Sequence, residues 1–230
     1  MREIVLDTET TGLDPNKGDR LVEIGCVELL NRIPTGQTFH AYINPDRDVP
    51  AEAFAVHGLS AEFLRGHKRF RDVCDEFMAF IGDDTPLVIH NAEFDHKFLC
   101  AELKMLKRAL IGRERLVDTL ALARRKHTAG PYSLDAMCAR YGIDNSRRTK
   151  HGALLDAEIL AEVYLELLGG RQATLGLAET VAKRVVGVDG IVVRKERSVP
   201  LAPRVSAADR EAHRAFVATL GPDAIWQKYQ

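Results

Sequence analysis

The sequence has little cysteine, few aromatic residues and almost no net charge. Its 230 residues include four cysteines, 7% aromatic residues, and 32 Lys+Arg against 33 Asp+Glu, which gives a formal net charge of -1. The cysteines are Cys26, Cys74, Cys100 and Cys138. They are too far apart for a CxxC pair or a zinc-type spacing, and each lies among apolar residues. We therefore expect reduced thiols buried in a core.

Long apolar runs are missing as well. No stretch approaches the roughly 18 apolar residues of a membrane span. Residues 1–7 offer only a run of three apolar residues before an acid, too few for a signal peptide. We therefore expect a soluble, cytoplasmic protein. The 46% hydrophobic content excludes a disordered chain, and the near-zero charge, taken alone, disfavours a nucleic-acid binder.

An alternation of strand and helix patterns is present instead. Apolar runs rich in β-branched residues predict strands, and apolar residues three and four apart predict helices. The predicted strands are residues 4–6, 21–30, 37–43 and 87–89, with a turn-like segment containing Asn31, Pro34 and Gly36. The predicted helices are residues 70–81, one capped by Asn91, 119–126, one from Ser133 to near Gly142, and 153–168. This order favours an α/β domain with a mixed sheet.

The pattern changes after residue 170. Residues 171–205 have weak periodicity and scattered glycines, which indicates a linker. A last helix fits residues 207–220, with Ser206 as its N-cap. We therefore expect a domain at residues 1–170, a linker at 171–205 and a tail at 206–230.

Four acidic residues lie where apolar residues are expected. Asp7 and Glu9 are two residues apart on the first strand, so their side chains share a face. Asp95 and Asp156 lie on the inward-facing stripes of their helices. Burial of a lone carboxylate is unfavourable, and a divalent cation offsets that cost. Without a cysteine cluster, four such acids favour two Mg²⁺ or Mn²⁺ ions over zinc.

Each acid also has a structural interpretation. Asp7 and Glu9 could face solvent at a strand end, and Asp95 could complement a helix macrodipole. Asp156 is harder to explain in this way, because it lies about one turn inside its helix.

Two metals about 3.5–4 Å apart can stabilise the attacking and leaving oxygens of a phosphoryl displacement.

His151 is a candidate general base. It is five residues before Asp156, so the two side chains cannot share a helix face, and His151 belongs to the preceding loop. An imidazole beside the metals could take a proton from an attacking water. A loop histidine taken alone is more often incidental.

Three motifs that contain these residues carry a resemblance to a known family. They are DTETTGL at residues 7–13, HNAEFD at 90–95 and HGALLDA at 151–157. In this order they resemble the three motifs of the DEDDh exonucleases, over most of residues 1–170. Within that superfamily the sequence is similar to the proofreading subunits of bacterial replicative polymerases, which FAVHGL at residues 54–59 supports.

The resemblance implies a ribonuclease H-like mixed central sheet flanked by helices, with a flexible C-terminal tail. It implies that His151 is the general base and that the metals are held by Asp7, Glu9, Asp95 and Asp156. The implied reaction is hydrolysis of the last phosphodiester at a DNA primer 3′ end, which releases a nucleoside 5′-monophosphate.

The resemblance also implies a pocket for the terminal nucleotide. The matching residues are Thr10, His57, His90 and Phe94, beside Asp7, Glu9 and Asp156. For Phe94, packing in the core is at least as good an interpretation as contact with a base. For Asp118 we favour a structural role.

The tail carries two candidate partner-binding segments. Gln172, Leu175 and Leu177 have the Gln-x-x-Leu-x-hydrophobic form of sliding-clamp-binding peptides, and the alternative is ordinary linker sequence. The last fifteen residues are rich in apolar and aromatic side chains, among them Phe216, Leu220, Trp226 and Tyr229. By resemblance this region binds the alpha subunit of DNA polymerase III, and the alternative is docking on its own domain.

The near-zero charge hides a division along the chain. Residues 171–230 contain 10 Lys+Arg and 6 Asp+Glu, whereas residues 1–170 contain 22 and 27. Four of those acids are the candidate ligands, so basic clusters at residues 124–126 and 147–150 are free to attract DNA phosphates.

Two other functions stay open: a stand-alone 3′ exonuclease for RNA or short oligonucleotides, and a non-catalytic binding module.

Overall fold

A computed structural model describes residues 1–148, 150–170, 205–220 and 226. The chain divides into two units, Met1–Thr174 and Leu175–Gln230, and each is treated by itself. Residues 171–204 of the predicted linker, which include the candidate clamp-binding residues, lie outside the described residues.

The first unit is built on a sheet of five strands within its described residues. The strands are β1 (Arg2–Thr10), β2 (Leu21–Leu30), β3 (Ile33–Tyr42), β4 (Leu87–Ile89) and β5 (Leu116–Asp118). Their order in the sheet is β3-β2-β1-β4-β5. β1, β2 and β3 form an antiparallel meander, and β4 and β5 run parallel to β1. The mixed sheet predicted from the sequence is confirmed.

Helices cover both faces of this sheet. They are α1 (Ala51–His57), α2 (Ala61–Arg65), α3 (Phe70–Ile81), α4 (Ala92–Met105), α5 (Thr119–Lys126), α6 (Leu134–Tyr141) and α7 (Ala153–Leu167). Side chains of β1 alternate between two cores. Ile4 and Leu6 pack in the core that contains α3 and α4, and Val5 packs in the core that contains α6 and α7. Asp7 and Glu9 continue the alternation of Val5 and share the α7 side.

One close contact brings α7 to the central strands. Gly25 on β2 pairs with Asp7 on β1. A Cβ atom at Gly25 would lie 2.2 Å from the backbone nitrogen of Leu154 and 2.3 Å from the carbonyl carbon of Ala153. The first turn of α7 can therefore lie directly on β2 only because residue 25 has no side chain.

Some local predictions were wrong. The turn before β3 is formed by Asn31 and Arg32, with φ values of 52° and 67°. Pro34 and Gly36 lie within β3, where a proline is tolerated because β3 is an edge strand. Asn91 precedes α4 as predicted, but it has a φ of 66° and its side chain makes no capping hydrogen bond.

Two further differences concern packing. The short helices α1 and α2 were not predicted, because most of their residues are exposed and show no apolar period. Of the four free cysteines, Cys100 is only half-buried, while the other three are buried as expected.

The second unit contains α8 (Ala207–Thr219). The hydroxyl of Ser206 accepts a hydrogen bond from the Asp209 amide, and the Asp209 carboxylate accepts one from the Ser206 amide. This capping box confirms the predicted start of the helix. None of the helices in the described part of the chain is long and apolar enough to cross a lipid bilayer.

Candidate active site

A cleft of about 310 Å³ contains all four candidate metal ligands and the candidate base. Its lining includes Asp7, Glu9, Asp95, Asp156 and His151. These residues come from β1, α4, α7 and the loop before α7. The structure thus brings together residues that are up to 149 positions apart in the sequence.

The fold explains how the acids meet. β4 is parallel to β1, so the chain that leaves β4 and begins α4 lies near the carboxyl end of β1. The hydroxyl of Thr8 donates a hydrogen bond of 2.7 Å to Oδ1 of Asp95. Asp95 and Asp156 are 3% and 2% exposed, so both carboxylates are inside the protein as predicted.

Three of the four acids bind protons more tightly than usual. Burial, followed by repulsion from Asp95, Glu9 and Asp156, raises the pKa of Asp7 well above its usual value. Burial and the neighbouring acids raise the pKa of Glu9 to about 8. Burial raises the pKa of Asp95 to about 7. Around these three acids, burial and the neighbouring negative charges therefore outweigh the positive charge that the described residues supply.

Glu9 also faces another acid across the sheet. It pairs with Glu23 on β2, and Glu23 is 3% exposed. Two like charges directly opposite each other destabilise a strand pair. Nε2 of His40 lies 2.7 Å from Oε1 of Glu23, which provides a local partner for the second acid.

Asp156 has a different environment. Burial alone would raise its pKa, but the hydrogen bonds and charges of Arg148 and His151 together outweigh burial and hold the pKa below its usual value. Nε of Arg148 donates to Oδ1 of Asp156 at 2.6 Å, and Nη2 donates to Oδ2 at 2.7 Å. The Arg148 side chain is 7% exposed, so it is a buried partner of Asp156.

The function assigned to Arg148 from the sequence was therefore wrong. It was grouped with residues 147–150 as a free cation for DNA phosphates. Arg147, which is exposed, fits that description better, with only a 3.9 Å ion pair to Glu158. Sequence spacing gave no sign of the Arg148 pair, because its second partner, Asp135, is on α6.

His151 lies in the loop before α7, as its spacing predicts. Its Nδ1 is 3.4 Å from Oδ2 of Asp156. One ligand atom from each of Glu9, His151 and Asp156 can be chosen so that all three lie within 4.8 Å of one another. The imidazole is thus next to the acids and remains exposed to solvent.

A second cavity of about 470 Å³ adjoins the acids and is lined by Glu9, Thr10, His57 and Phe94. His57 is 5% exposed, and its Nδ1 accepts a hydrogen bond of 3.0 Å from the Leu59 amide. Its other ring nitrogen, Nε2, therefore carries the proton, and it has no hydrogen-bond partner among the described residues. Burial lowers the pKa of His57, which favours this neutral form.

Three other residues singled out from the sequence have contacts that also serve the fold: Phe94, His90 and Asp118. Phe94 lines both cavities and also packs against Phe98, with ring centroids 5.1 Å apart and the rings tilted by 47°, so it belongs to the core as well. His90 lines the acidic cleft, and its Nδ1 lies 2.9 Å from the hydroxyl of Thr119. Asp118 caps α5 by accepting hydrogen bonds from the Leu120 and Ala121 amides.

The candidate partner-binding residues are only partly described. Phe216, Leu220 and Trp226 are 61%, 48% and 53% exposed. The indole of Trp226 contacts His213 edge-on, with ring centroids 5.8 Å apart. The other candidates lie outside the described residues: Gln172, Leu175, Leu177 and Tyr229.

Solved structures share this fold. Exonuclease X in complex with 5′ overhanging duplex DNA has a TM-score of 0.58 and 24% identity, over 72% of this chain and 90% of that one. The nuclease domain of 3′hExo, a DEDDh family member, bound to rAMP, has a TM-score of 0.61 and 17% identity, over 73% and 91%.

Sequence comparisons are more specific. The exonuclease family model matches residues 4–164. The DNA polymerase III subunit epsilon of Rickettsia felis is 44% identical over 223 residues, covering 96% of this chain and 97% of the relative. That of Escherichia coli K12 is 44% identical over 238 residues, covering 98% and 97%. The chain therefore belongs to the exonuclease family, in the group of the DNA polymerase III epsilon subunits.

Proposed function

We propose that this exonuclease hydrolyses the last phosphodiester at the 3′ end of a DNA primer and so proofreads replication. The observation that carries the proposal is the acidic cleft, where four carboxylates and an exposed imidazole converge beside a second cavity. The family membership supports the direction and the substrate.

The donor set fits divalent cations. Asp7, Glu9, Asp95 and Asp156 offer oxygen ligands, which Mg²⁺ and Mn²⁺ prefer. The raised pKa values of Asp7, Glu9 and Asp95 indicate a site that needs more positive charge than the described residues supply. We propose two ions held by these four residues. When bound, they would stabilise the negative charge on the attacking and leaving oxygens.

The protein's own groups would complete the reaction. His151 would accept a proton from the attacking water, because it is the exposed base beside the acids. The adjoining cavity would hold the terminal nucleotide, with Thr10 and Phe94 in its wall. The unpaired Nε2–H of His57 would gain a hydrogen-bond acceptor from the nucleotide. His90 would contact it from the acidic cleft.

Selectivity would come from the strand end. A mismatched terminal base separates from its partner at lower cost than a matched one, so it reaches the cleft as a single strand more often. The enzyme then needs no contact that distinguishes the four bases.

Two partners would hold the enzyme at the primer. The alpha subunit of the polymerase would bind exposed residues of the second unit, with Phe216, Leu220, Trp226 and Tyr229 as anchors. A sliding clamp would bind Gln172, Leu175 and Leu177. Such tethering raises the local concentration of the nuclease at the DNA end. We expect this work to take place in the cytoplasm.

One assay tests the catalytic proposal. The full chain is incubated with Mg²⁺ and a 3′-mismatched primer-template, and nucleoside 5′-monophosphate release is measured. Asp7→Asn should lower the rate by roughly 10²–10³-fold, the loss typical for removal of one group that stabilises charge in the transition state. The matched control is Asp84→Asn, an exposed acid before β4. An equal rate in the two variants would show that Asp7 is not part of the active site.

The same preparation tests the alternatives. A stand-alone RNA exonuclease would degrade a single-stranded RNA of the same sequence at least as fast as the DNA. For the tail, Phe216→Ala with Trp226→Ala should reduce capture of the full chain by the alpha subunit. Undiminished capture would argue against these anchors.

A further inference from the structure

All three guanidinium nitrogens of Arg148 donate hydrogen bonds to side chains of the cleft. Nε donates to Oδ1 of Asp156, and Nη2 donates to Oδ2 of Asp156 and, at 2.8 Å, to Nδ1 of His151. Nη1 donates to both carboxylate oxygens of Asp135 at 2.9 Å. One buried cation thus links a candidate metal ligand, the candidate base and a third acid.

The contact with His151 defines which ring nitrogen can act as a base. A guanidinium only donates hydrogen bonds, so Nδ1 of His151 must be the acceptor at 2.8 Å. A neutral imidazole has one acceptor nitrogen, and its other nitrogen carries the proton. In this arrangement the lone pair that would accept a proton is therefore already occupied by Arg148.

The contact with Asp156 has a similar consequence. Both of its oxygens accept hydrogen bonds from the guanidinium fork, at 2.6 and 2.7 Å. A cation that approached this carboxylate would meet the positive charge of Arg148 within a cleft where such repulsion is weakly screened. Arg148 and a divalent cation therefore compete for Asp156.

From these contacts we propose that Arg148 is a positioning residue that occupies Asp156 until a metal ion replaces it. Metal binding would move the guanidinium away from Asp156 and from His151, so the base would become free only when the metal site is filled. Asp135 is 55% exposed and binds Arg148 through both oxygens, so it can hold the guanidinium after the exchange. The inference rests on the proposed assignment of Asp156 as a metal ligand.

The first experiment measures the affinity for Mn²⁺ by calorimetry, without DNA. Arg148→Met removes the competitor and should tighten Mn²⁺ binding roughly tenfold, the change that corresponds to one displaced ion pair of about 1.4 kcal/mol. Arg147→Met is the matched control, because it removes the same charge from an exposed position near the same loop. Its affinity should equal that of the wild type. Unchanged or weaker binding by Arg148→Met would overturn the inference.

A second experiment uses the wild type, so it does not depend on the folding of a variant. Mg²⁺ is added to ¹⁵N-labelled protein, and the Nε–H signal of Arg148 and the Nδ1 signal of His151 are followed by NMR. Both signals should shift together as the site fills. An Arg148 signal that stays unchanged at saturating Mg²⁺ would contradict the exchange.

The outcomes separate this inference from the proposed function. If wild type and Asp156→Asn bind Mn²⁺ equally well, the assignment of Asp156 is wrong and the inference fails with it. If Asp156→Asn weakens binding but Arg148→Met and Arg147→Met bind alike, only the inference fails. Arg148→Lys should give an intermediate affinity, since it keeps the charge but lacks the planar fork.

Discussion

The two sides of the acidic cleft compensate their negative charge in different ways. Around Glu9 and Asp95, burial and neighbouring acids raise the carboxyl pKa values to about 8 and about 7. Asp156 is buried to a similar extent, yet its pKa lies below the usual value because Arg148 donates two hydrogen bonds to it and His151 lies beside it. Tighter proton binding thus offsets the negative charge on the first side, and the Arg148 guanidinium offsets it on the second.

This difference has a physical lesson. Burial alone does not decide the protonation state of a carboxylate, since a guanidinium and an imidazole beside Asp156 together reverse its effect. By the proposals above, a metal ion that bound between the two sides of the cleft would displace protons from one side and Arg148 from the other. Mutations on the two sides should have opposite effects on stability.

The largest difference in the free energy of unfolding is expected between the variants Asp156→Asn and Asp95→Asn, both measured without added metal. Asp156→Asn leaves the Arg148 guanidinium buried with less negative charge, which should lower the free energy of unfolding by about 3 kcal/mol. Asp95→Asn removes a carboxyl group whose raised pKa disfavours folding above acidic pH, so it should raise the free energy of unfolding at pH 6. Urea titrations of both variants measure the difference, and equal losses would erase the distinction between the two sides.

His151→Gln should affect the reaction far more than the stability of the fold. Loss of a general base typically lowers a rate by roughly 10²–10⁴-fold. Because His151 is exposed, the free energy of unfolding should stay within about 0.5 kcal/mol of the wild type. Single-turnover hydrolysis of a mismatched primer provides the rate. A fully active variant would show that another group takes the proton.

The stability of the metal-free protein should fall as pH rises. Glu9 and Asp95 have folded-state pKa values of about 8 and about 7, above those of exposed carboxyls, so the folded state binds more protons than the unfolded state. Their contribution is complete at acidic pH and is lost as pH rises through about 7 to 8. Thermal unfolding at pH 6 and pH 8 measures the loss.

Mg²⁺ should reverse that loss. At a concentration 100 times its Kd, a ligand that binds only the folded state adds about 2.7 kcal/mol, which raises Tm by roughly 5–10 °C for a chain of this size. The rise should be larger at pH 8 than at pH 6, since the ions then replace fewer protons. A rise that does not depend on pH would place the ions away from Glu9 and Asp95.

Gly25→Ala tests whether the contact between β2 and α7 sets the distance between the two sides. The added Cβ would overlap the backbone of Ala153 and Leu154. Such overpacking typically costs about 1–3 kcal/mol, and moving α7 would also shift Asp156 away from Asp7. Gly66→Ala is the control, because its Cβ would meet only the Phe63 carbonyl oxygen at 3.7 Å. Equal stability and activity in the two variants would refute this function of Gly25.

Local signals explain what could be predicted from the sequence. The bounds of α3 and α5 were predicted correctly because their ends have short-range causes, such as the Gly82 stop. The four acids were found because a charge on an apolar stripe is unusual. Their convergence in one cleft follows from parallel strands whose carboxyl ends meet at one edge of the sheet.

The unpredicted features depend on contacts between distant elements. Arg148 lies in a loop with no periodicity, so its burial depends on Asp135 and Asp156, which belong to two different helices. Gly25 lies inside a strand pattern, and nothing near it in the sequence indicates the helix that packs on it. Such features become visible only after the elements are assembled.

Strand β1 joins the core and the chemistry in a single element. Ile4, Val5 and Leu6 are buried in the two cores, and Asp7 and Glu9 follow without a break in the ladder with β2. The two acids cannot shift relative to each other unless the centre of the sheet opens. Adjustment during turnover must therefore come from the other wall of the cleft, where the segment before α7 carries Arg148 and His151. The enzyme combines one wall as rigid as its core with one wall that side-chain exchange can rearrange.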